Sequence, residues 1–192
     1  MTITTTSRNE VNGFTLIDLL LALAIGGITL GLTVPSFTHI FDSYRSRVSI
    51  NTLVGANHFA RVTAISKGKT TTLCAKSDEA TCGTNWSKGI LIFIDDNRNG
   101  RLDEQDTLLR TVEAFKDANV TWKSFGSNNY IRYSASGSTI NQNGSFTYCP
   151  ANGDEIYANQ VIINRAGRTR TAVDYDKDGI KENSLGENLS CS

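Results

Sequence analysis

The sequence has little of what an enzyme or a metal protein would need. Histidine is nearly absent, with only His39 and His58. No nucleophile–His–carboxylate pattern and no glycine-rich phosphate loop is evident, so no enzymatic activity is expected. The four cysteines contain no C-x-x-C pair and stand far from both histidines, which argues against a zinc site. Net charge is also missing, because 19 basic and 19 acidic residues cancel. A protein that coats nucleic acid by bulk charge would be basic, so any such contact must be local. Proline occurs twice and methionine once, against 16 glycines. The Gly, Asn, Thr and Ser content points instead to many turns between short strands. With 39% hydrophobic and 20% charged residues in 192, wholesale disorder is not expected, and the length suits one domain with a short appendage.

What is present is concentrated first at the N-terminus. Residues 1–13 are short and polar, and Phe14 to Val34 then form an apolar run whose one charge is Asp18. As a helix those residues span about 31 Å, close to the thickness of a bilayer's hydrocarbon core. A secretory signal would carry a small-residue cleavage site after the apolar run. Here the glycine, Gly13, stands before it. Asp18 is a functional candidate by default, since a carboxylate in an apolar helix is costly unless paired. Gly27 and Gly31 make a G-x-x-x-G that lets helices approach closely, a match common by chance. Pro35 removes a backbone donor and is expected to interrupt the helix.

A second helical stretch is expected from Pro35 to about Lys67. Ile50, Leu53, Asn57, Ala60 and Ala64 recur at steps of three and four on one face. Lys67 followed by Gly68 suits a helix end. From Thr70 the period changes. Eight short strands are expected, over 70–75, 89–95, 108–115, 120–125, 130–134, 145–149, 160–164 and 168–173. A long helix followed by strands indicates an α+β domain with an antiparallel sheet. Four cysteines after an export-like N-terminus suggest two disulfides. Three pairings exist. Cys74 with Cys82 and Cys149 with Cys191 is favoured because each pair closes a separate loop, worth about 2.5 and about 4 kcal/mol in the chain-entropy model.

The polar leader ending in Gly13, then Phe14, then an acidic residue four positions on, resembles the type IV pilin family. The resemblance implies cleavage after Gly13 by a prepilin peptidase and N-methylation of Phe14. It also implies that Asp18 pairs with a neighbouring subunit's N-terminal amine, and that Pro35 marks where the helix loosens in a filament. The usual acidic residue is Glu; Asp18 keeps the charge with a shorter reach. The likeness narrows to the GspH/FimT branch of minor pilins and pseudopilins. It does so on Ala60-Arg61, Leu73-Cys74, Cys82, Trp86-Ser87-Lys88-Gly89, the run Phe93 to Gly100, Gly144-Ser145-Phe146 and the run Ile162 to Arg170. It implies a type IV pilin-like fold: a leader over 1–13, a membrane and filament-core helix over 14–36, and a periplasmic head over 37–192 packed on the helix. The expected location is the inner membrane, single pass, with incorporation into a filament. The expected partners are other pilins or pseudopilins, the peptidase and the membrane.

Two loops have the ligand spacing of a calcium loop. One offers Asp95, Asn97, Asn99, Asp103 and Asp106, with Gly100 at the turn. The other offers Asp174, Asp176 and Asp178, with Gly179 and then Glu182. Calcium is the one cofactor this spacing admits; Asx turns that need no metal explain the same residues. Arg165, Arg168 and Arg170 are the remaining candidates. Alternate residues of a strand share a face, so Arg168 and Arg170 project together and suit phosphate. In FimT-type members the Gly-Arg-x-Arg pattern is associated with DNA capture, which implies double-stranded DNA as a further partner. Against it stands residues 174–192, with five acidic and two basic side chains, which could pair with these arginines. The expected function is a structural minor pilin or pseudopilin in filament assembly or priming; the alternative is a pilus-borne DNA receptor.

Overall fold

The computed structural model describes residues 14–78, 81–127 and 129–191, without the side chains of residues 30 and 32–37. Gly13 therefore lies outside the described residues, and Pro35 is described by its backbone alone. By its internal contacts the chain divides into residues up to Phe41 and a head from Asp42 onward.

One helix, α1, spans Leu16–Lys67. The expected interruption at Pro35 is absent, and the helix continues through it. Proline removes one N–H from the ladder, and the turns on either side still close their own bonds. In the N-terminal unit Leu16, Leu20, Leu23 and Ile28 are all exposed. Among the described residues no helix is long and apolar enough to cross a membrane. The apolar run read from the sequence includes side chains outside that set. The helix ends at Gly68, whose φ of 64° and N–H bond to the Ile65 carbonyl stop the spiral.

Among the described residues the head contains nine strands in two antiparallel sheets. They are β1 (Thr71–Asp78), β2 (Thr81–Gly83), β3 (Ile90–Ile94), β4 (Thr107–Val112), β5 (Ala118–Ser124), β6 (Tyr130–Tyr133), β7 (Gly144–Pro150), β8 (Asn159–Ile163) and β9 (Thr169–Thr171). The first sheet runs β2-β1-β3-β4, with β6 also pairing β1; the second runs β5-β7-β8-β9. The eight expected strands are all found, and β2 is the addition. The antiparallel head is present, split in two.

The helix face foreseen from periodicity is the one that packs. Ile50, Leu53, Ala60 and Ala64 join a cluster with Leu73, Ile92, Trp122, Phe146 and Val161 from both sheets and with Trp86 from the turn between β2 and β3. Asn57, the polar member, is fully buried and satisfied: its Nδ2 donates to Leu53 O at 2.8 Å and its Oδ1 accepts from Tyr133 Oη at 3.0 Å. Phe146 lies 4.9 Å from Trp86 and 4.6 Å from Trp122, ring centre to ring centre. Two smaller clusters cover the outer faces. Cys74, Leu91 and Phe93 pack with Leu102 and Tyr130 outside the first sheet. Cys149, Ala158 and Ala172 pack with Leu189 outside the second. Each outer cluster holds a disulfide, Cys74–Cys82 and Cys149–Cys191, the favoured pairing.

Candidate functional site

Arg165, Arg168 and Arg170 surround the β8–β9 turn, and the turn is built from its glycine. Gly167 has φ 73°. A Cβ there would overlap the Gly137 carbonyl oxygen and come 3.1 Å from Arg61 Nε and Tyr133 Cε1. The β8–β9 turn therefore rests on the β6–β7 turn, which α1 holds through Arg61 Nε donating to Gly137 O at 2.9 Å. Thr139 N–H donates to Arg165 O at 3.1 Å, and Asn164 and Arg168 exchange bonds through Arg168 N–H to Asn164 Oδ1 and Asn164 N–H to Arg168 O. These contacts fix the backbone and leave the arginine side chains outside.

Register places those side chains. In β8 and β9, Ile163 pairs Thr169, Ile162 pairs Arg170 and Val161 pairs Thr171. Val161 and Ile163 are buried, so Ile162 and Arg170 face outward, and Arg168 stands on the same side. All three arginines are exposed. Among the described residues none of them forms an ion pair. The tail carboxylates expected to neutralise them are held by their own loop. Asp174 accepts from Lys177 N–H at 2.6 Å and Gly179 N–H at 3.0 Å, Asp178 from Ile180 N–H and Asn188 Nδ2, and Glu182, only 5% exposed, from Tyr175 N–H. Lys181 has its pKa lowered chiefly by burial, and its Nζ reaches Ala158 O.

The two acidic loops share a backbone. Residue four of each has positive φ (Arg98 60°, Lys177 66°), as has the glycine at position six (Gly100 74°, Gly179 96°). In each the leading carboxylate accepts the glycine N–H. Asp95, 1% exposed, takes three donors: Thr72 Oγ1 at 2.7 Å, Asn99 N–H and Gly100 N–H. Asp103 accepts from Asn97 and Asn99 side chains at 2.7 and 2.8 Å. Those bonds, the Asn97 one foremost, lower its pKa, whereas burial raises that of Asp106. The β3–β4 loop is thus a hydrogen-bonded cap over the hairpin. Among the described residues, one group of three carboxylates, Asp174, Asp176 and Glu182, has oxygens that all lie within 4.8 Å of one another.

Asp18 has a local role that the sequence reading missed. Thr15 Oγ1 accepts from Asp18 N–H at 3.3 Å, and Asp18 Oδ2 accepts from Thr15 N–H at 3.1 Å and from its hydroxyl at 2.6 Å. This is a reciprocal cap on α1, and the T-x-x-D spacing before an apolar run is its signal.

A family model described as Type II transport protein GspH matches residues 49–167, more than half of the chain. The chain belongs to the GspH family. The matched region includes Arg165 and Gly167 and stops before Arg168, so both arginines of the Gly-Arg-x-Arg pattern lie beyond it. Among solved structures, the type IV minor pilin FimU of Pseudomonas aeruginosa superposes at a TM-score of 0.55 and 20% identity, over 81% of this chain and 99% of FimU. A second crystal form of FimU gives 0.54 at 21% identity, over 76% and 99%. The minor pseudopilin EpsH of the Vibrio cholerae type 2 secretion system matches at 0.49 and 10% identity, over 66% and 95%, too remote to bear on the fold. No curated protein matches the chain significantly. The GspH head and the FimU likeness agree on the fold expected for this chain.

Proposed function

We propose that this GspH-family protein is a structural minor pilin or pseudopilin that assembles or primes a type IV pilus or a type II secretion filament. The observation that carries the reading is a long helix, apolar at its start, that runs into a GspH-family head. In this reading residues 1–13 are removed after Gly13, Phe14 becomes the methylated N-terminus, and residues 14–36 anchor the chain in the inner membrane. The head, residues 37–192, stays periplasmic until the subunit enters a filament beside other pilins. Asp18 exchanges its cap on Thr15 for the amine of a neighbouring Phe14. Its short side chain, already folded back on its own helix, makes that exchange costlier than a longer acid would. No step of this role needs a metal. Deletion of the gene is expected to abolish or reduce filaments counted by electron microscopy, with rescue by the wild-type chain and not by Gly13→Asp. Normal filament numbers in the deletion strain would refute the structural role.

One observation favours a second reading, a filament-borne DNA receptor. Arg168 and Arg170 share an outward face and are not neutralised by the acidic tail. Phosphate contact by two such arginines must show a salt slope. The full chain in detergent is expected to bind duplex DNA, more weakly at higher salt, and an Arg168→Ala/Arg170→Ala variant is expected to lose that binding. Binding that survives the double substitution would refute it.

A further inference from the structure

The outer face of the second sheet is divided into a covered and an open half, and the open half carries more than the arginines. The tail covers one half: Leu189 packs with Cys149, Ala158 and Ala172, and Cys191 is bonded to Cys149. Across the open half, Lys123 pairs Ser145, Ser145 pairs Ile162 and Ile162 pairs Arg170. This row crosses all four strands. At a strand spacing of about 4.8 Å it sets Lys123 and Arg170 about 14 Å apart at the backbone. One step further, Phe125 N–H donates to Asn143 O and Asn164 N–H to Arg168 O, each at 3.1 Å, which extends both edge ladders. Phe125, Asn143, Asn164 and Arg168 thus form a second row. Its first member is a phenylalanine that is 88% exposed.

The two rows contain three cations, an aromatic ring, amides, a hydroxyl and one aliphatic side chain, and no carboxylate. Among the described residues, Lys123, like Arg168 and Arg170, forms no ion pair. An acid stands at the border with the tail, where Glu187 lines a groove with Lys123 and Ser145 and accepts from Asn183 Nδ2 at 2.9 Å. A cationic strip with an unburied ring suits a polyanion that also offers flat faces. Bases offer such faces only where they are not already stacked on each other.

We propose that this open half-sheet binds single-stranded nucleic acid, with Lys123, Arg168 and Arg170 on phosphates and Phe125 stacked on a base. The inference rests on the receptor reading and adds two residues and a strand preference to it.

The test uses the full chain in detergent, with labelled oligo-dT and a duplex of the same length. Single strand is expected to bind about tenfold more tightly than duplex, and Phe125→Ala to remove that preference while leaving duplex binding alone. Phe125→Trp is expected to keep it. Lys123→Ala is expected to weaken both ligands and to lower the salt slope for single strand by about 0.7. If Phe125→Ala and Lys123→Ala bind like wild type while Arg168→Ala/Arg170→Ala does not, the inference is overturned and the receptor reading stands. If the wild type binds neither ligand, both are overturned. Equal melting temperatures of wild type and Phe125→Ala establish that any lost affinity is local.

Discussion

Gly167 and Gly153 offer a matched pair for asking whether the arginine turn is held as described. Their backbones are alike, with φ of 73° and 72°. Their surroundings differ. Nothing lies within 4 Å of a Cβ built on Gly153, whereas one on Gly167 overlaps Gly137 O and presses on Arg61 and Tyr133. Alanine at either position incurs the left-handed backbone cost, about 1–2 kcal/mol. Gly167→Ala adds the displacement of a packed turn, about 1–3 kcal/mol by analogy with overpacking in cores. The obstructing group is a backbone carbonyl already bonded to Arg61, so it cannot swing aside as a side chain would. For a domain of this size 1 kcal/mol moves Tm by about 2–4 °C. Gly167→Ala should therefore melt about 2–12 °C below Gly153→Ala when both are followed by circular dichroism. Equal shifts would mean that the β8–β9 turn does not rest on the β6–β7 turn, and that Gly167 serves only its own backbone angle. Arg61→Ala supplies an independent arm, since it frees the Gly137 carbonyl and should narrow the gap.

Other features of the head make shorter predictions. Replacing Cys149 and Cys191 by serine is expected to cost about 4 kcal/mol, and the Cys74–Cys82 pair about 2.5 kcal/mol, measured by denaturant melts; the reverse order would refute the loop-entropy account. Asp95→Ala strands the buried Gly100 N–H and the buried Thr72 hydroxyl and should cost about 3–5 kcal/mol; a loss under about 1 kcal/mol would show that water replaces the carboxylate. Asp103→Asn should destabilise at neutral pH. Because the folded pKa of Asp103 is depressed, its contribution is present above the ordinary carboxylate range and lost as pH falls through that depressed value, so the gap between variant and wild type closes in acid. A gap that widens in acid would reverse the sign. Any calcium-dependent rise in Tm is expected to vanish with Asp174→Asn and to survive Asp103→Asn, with EGTA as control; the opposite pattern would move the ion to the β3–β4 loop.

The elements whose pattern is local were legible in the sequence. The helix face from Ile50 to Ala64 is set by a period of 3.6 and needs no partner to be recognised. The strands around Leu91, Phe146 and Val161 are dense in β-branched and aromatic residues, and their bounds were read to within a few positions. What could not be read depends on pairing between distant segments. Nothing local says that β6 shares β1 with β2, or that β5 and β9 are the two edges of one sheet. For that reason Lys123 and Phe125 were not grouped with Arg168 and Arg170, although the alternation of Val120 and Trp122 with Thr121 and Lys123 was there to see. Short elements were lost as well: β2 has three residues, and the Thr15–Asp18 cap was hidden behind a role for Asp18 drawn from the family resemblance.

The acidic tail illustrates why composition misleads about a site. Counted as charge, residues 174–192 cancel the arginines, and pairing of the two accounts for both. Their geometry separates them. A carboxylate three residues from a turn N–H finds that donor before it finds a guanidinium on another strand. The neighbour is already within reach, and ordering a long arginine side chain toward an exposed acid gains little in water. Asp174, Asp178 and Glu182 are consumed in this way, one by one, by Lys177, Gly179, Ile180, Asn188 and Tyr175. The disulfide and Leu189 then hold the folded loop over the apolar end of the sheet. A segment that looks like a counter-charge in the sequence is, in the fold, a cover for Cys149, Ala158 and Ala172, and among the described residues it forms no ion pair with Arg168 or Arg170.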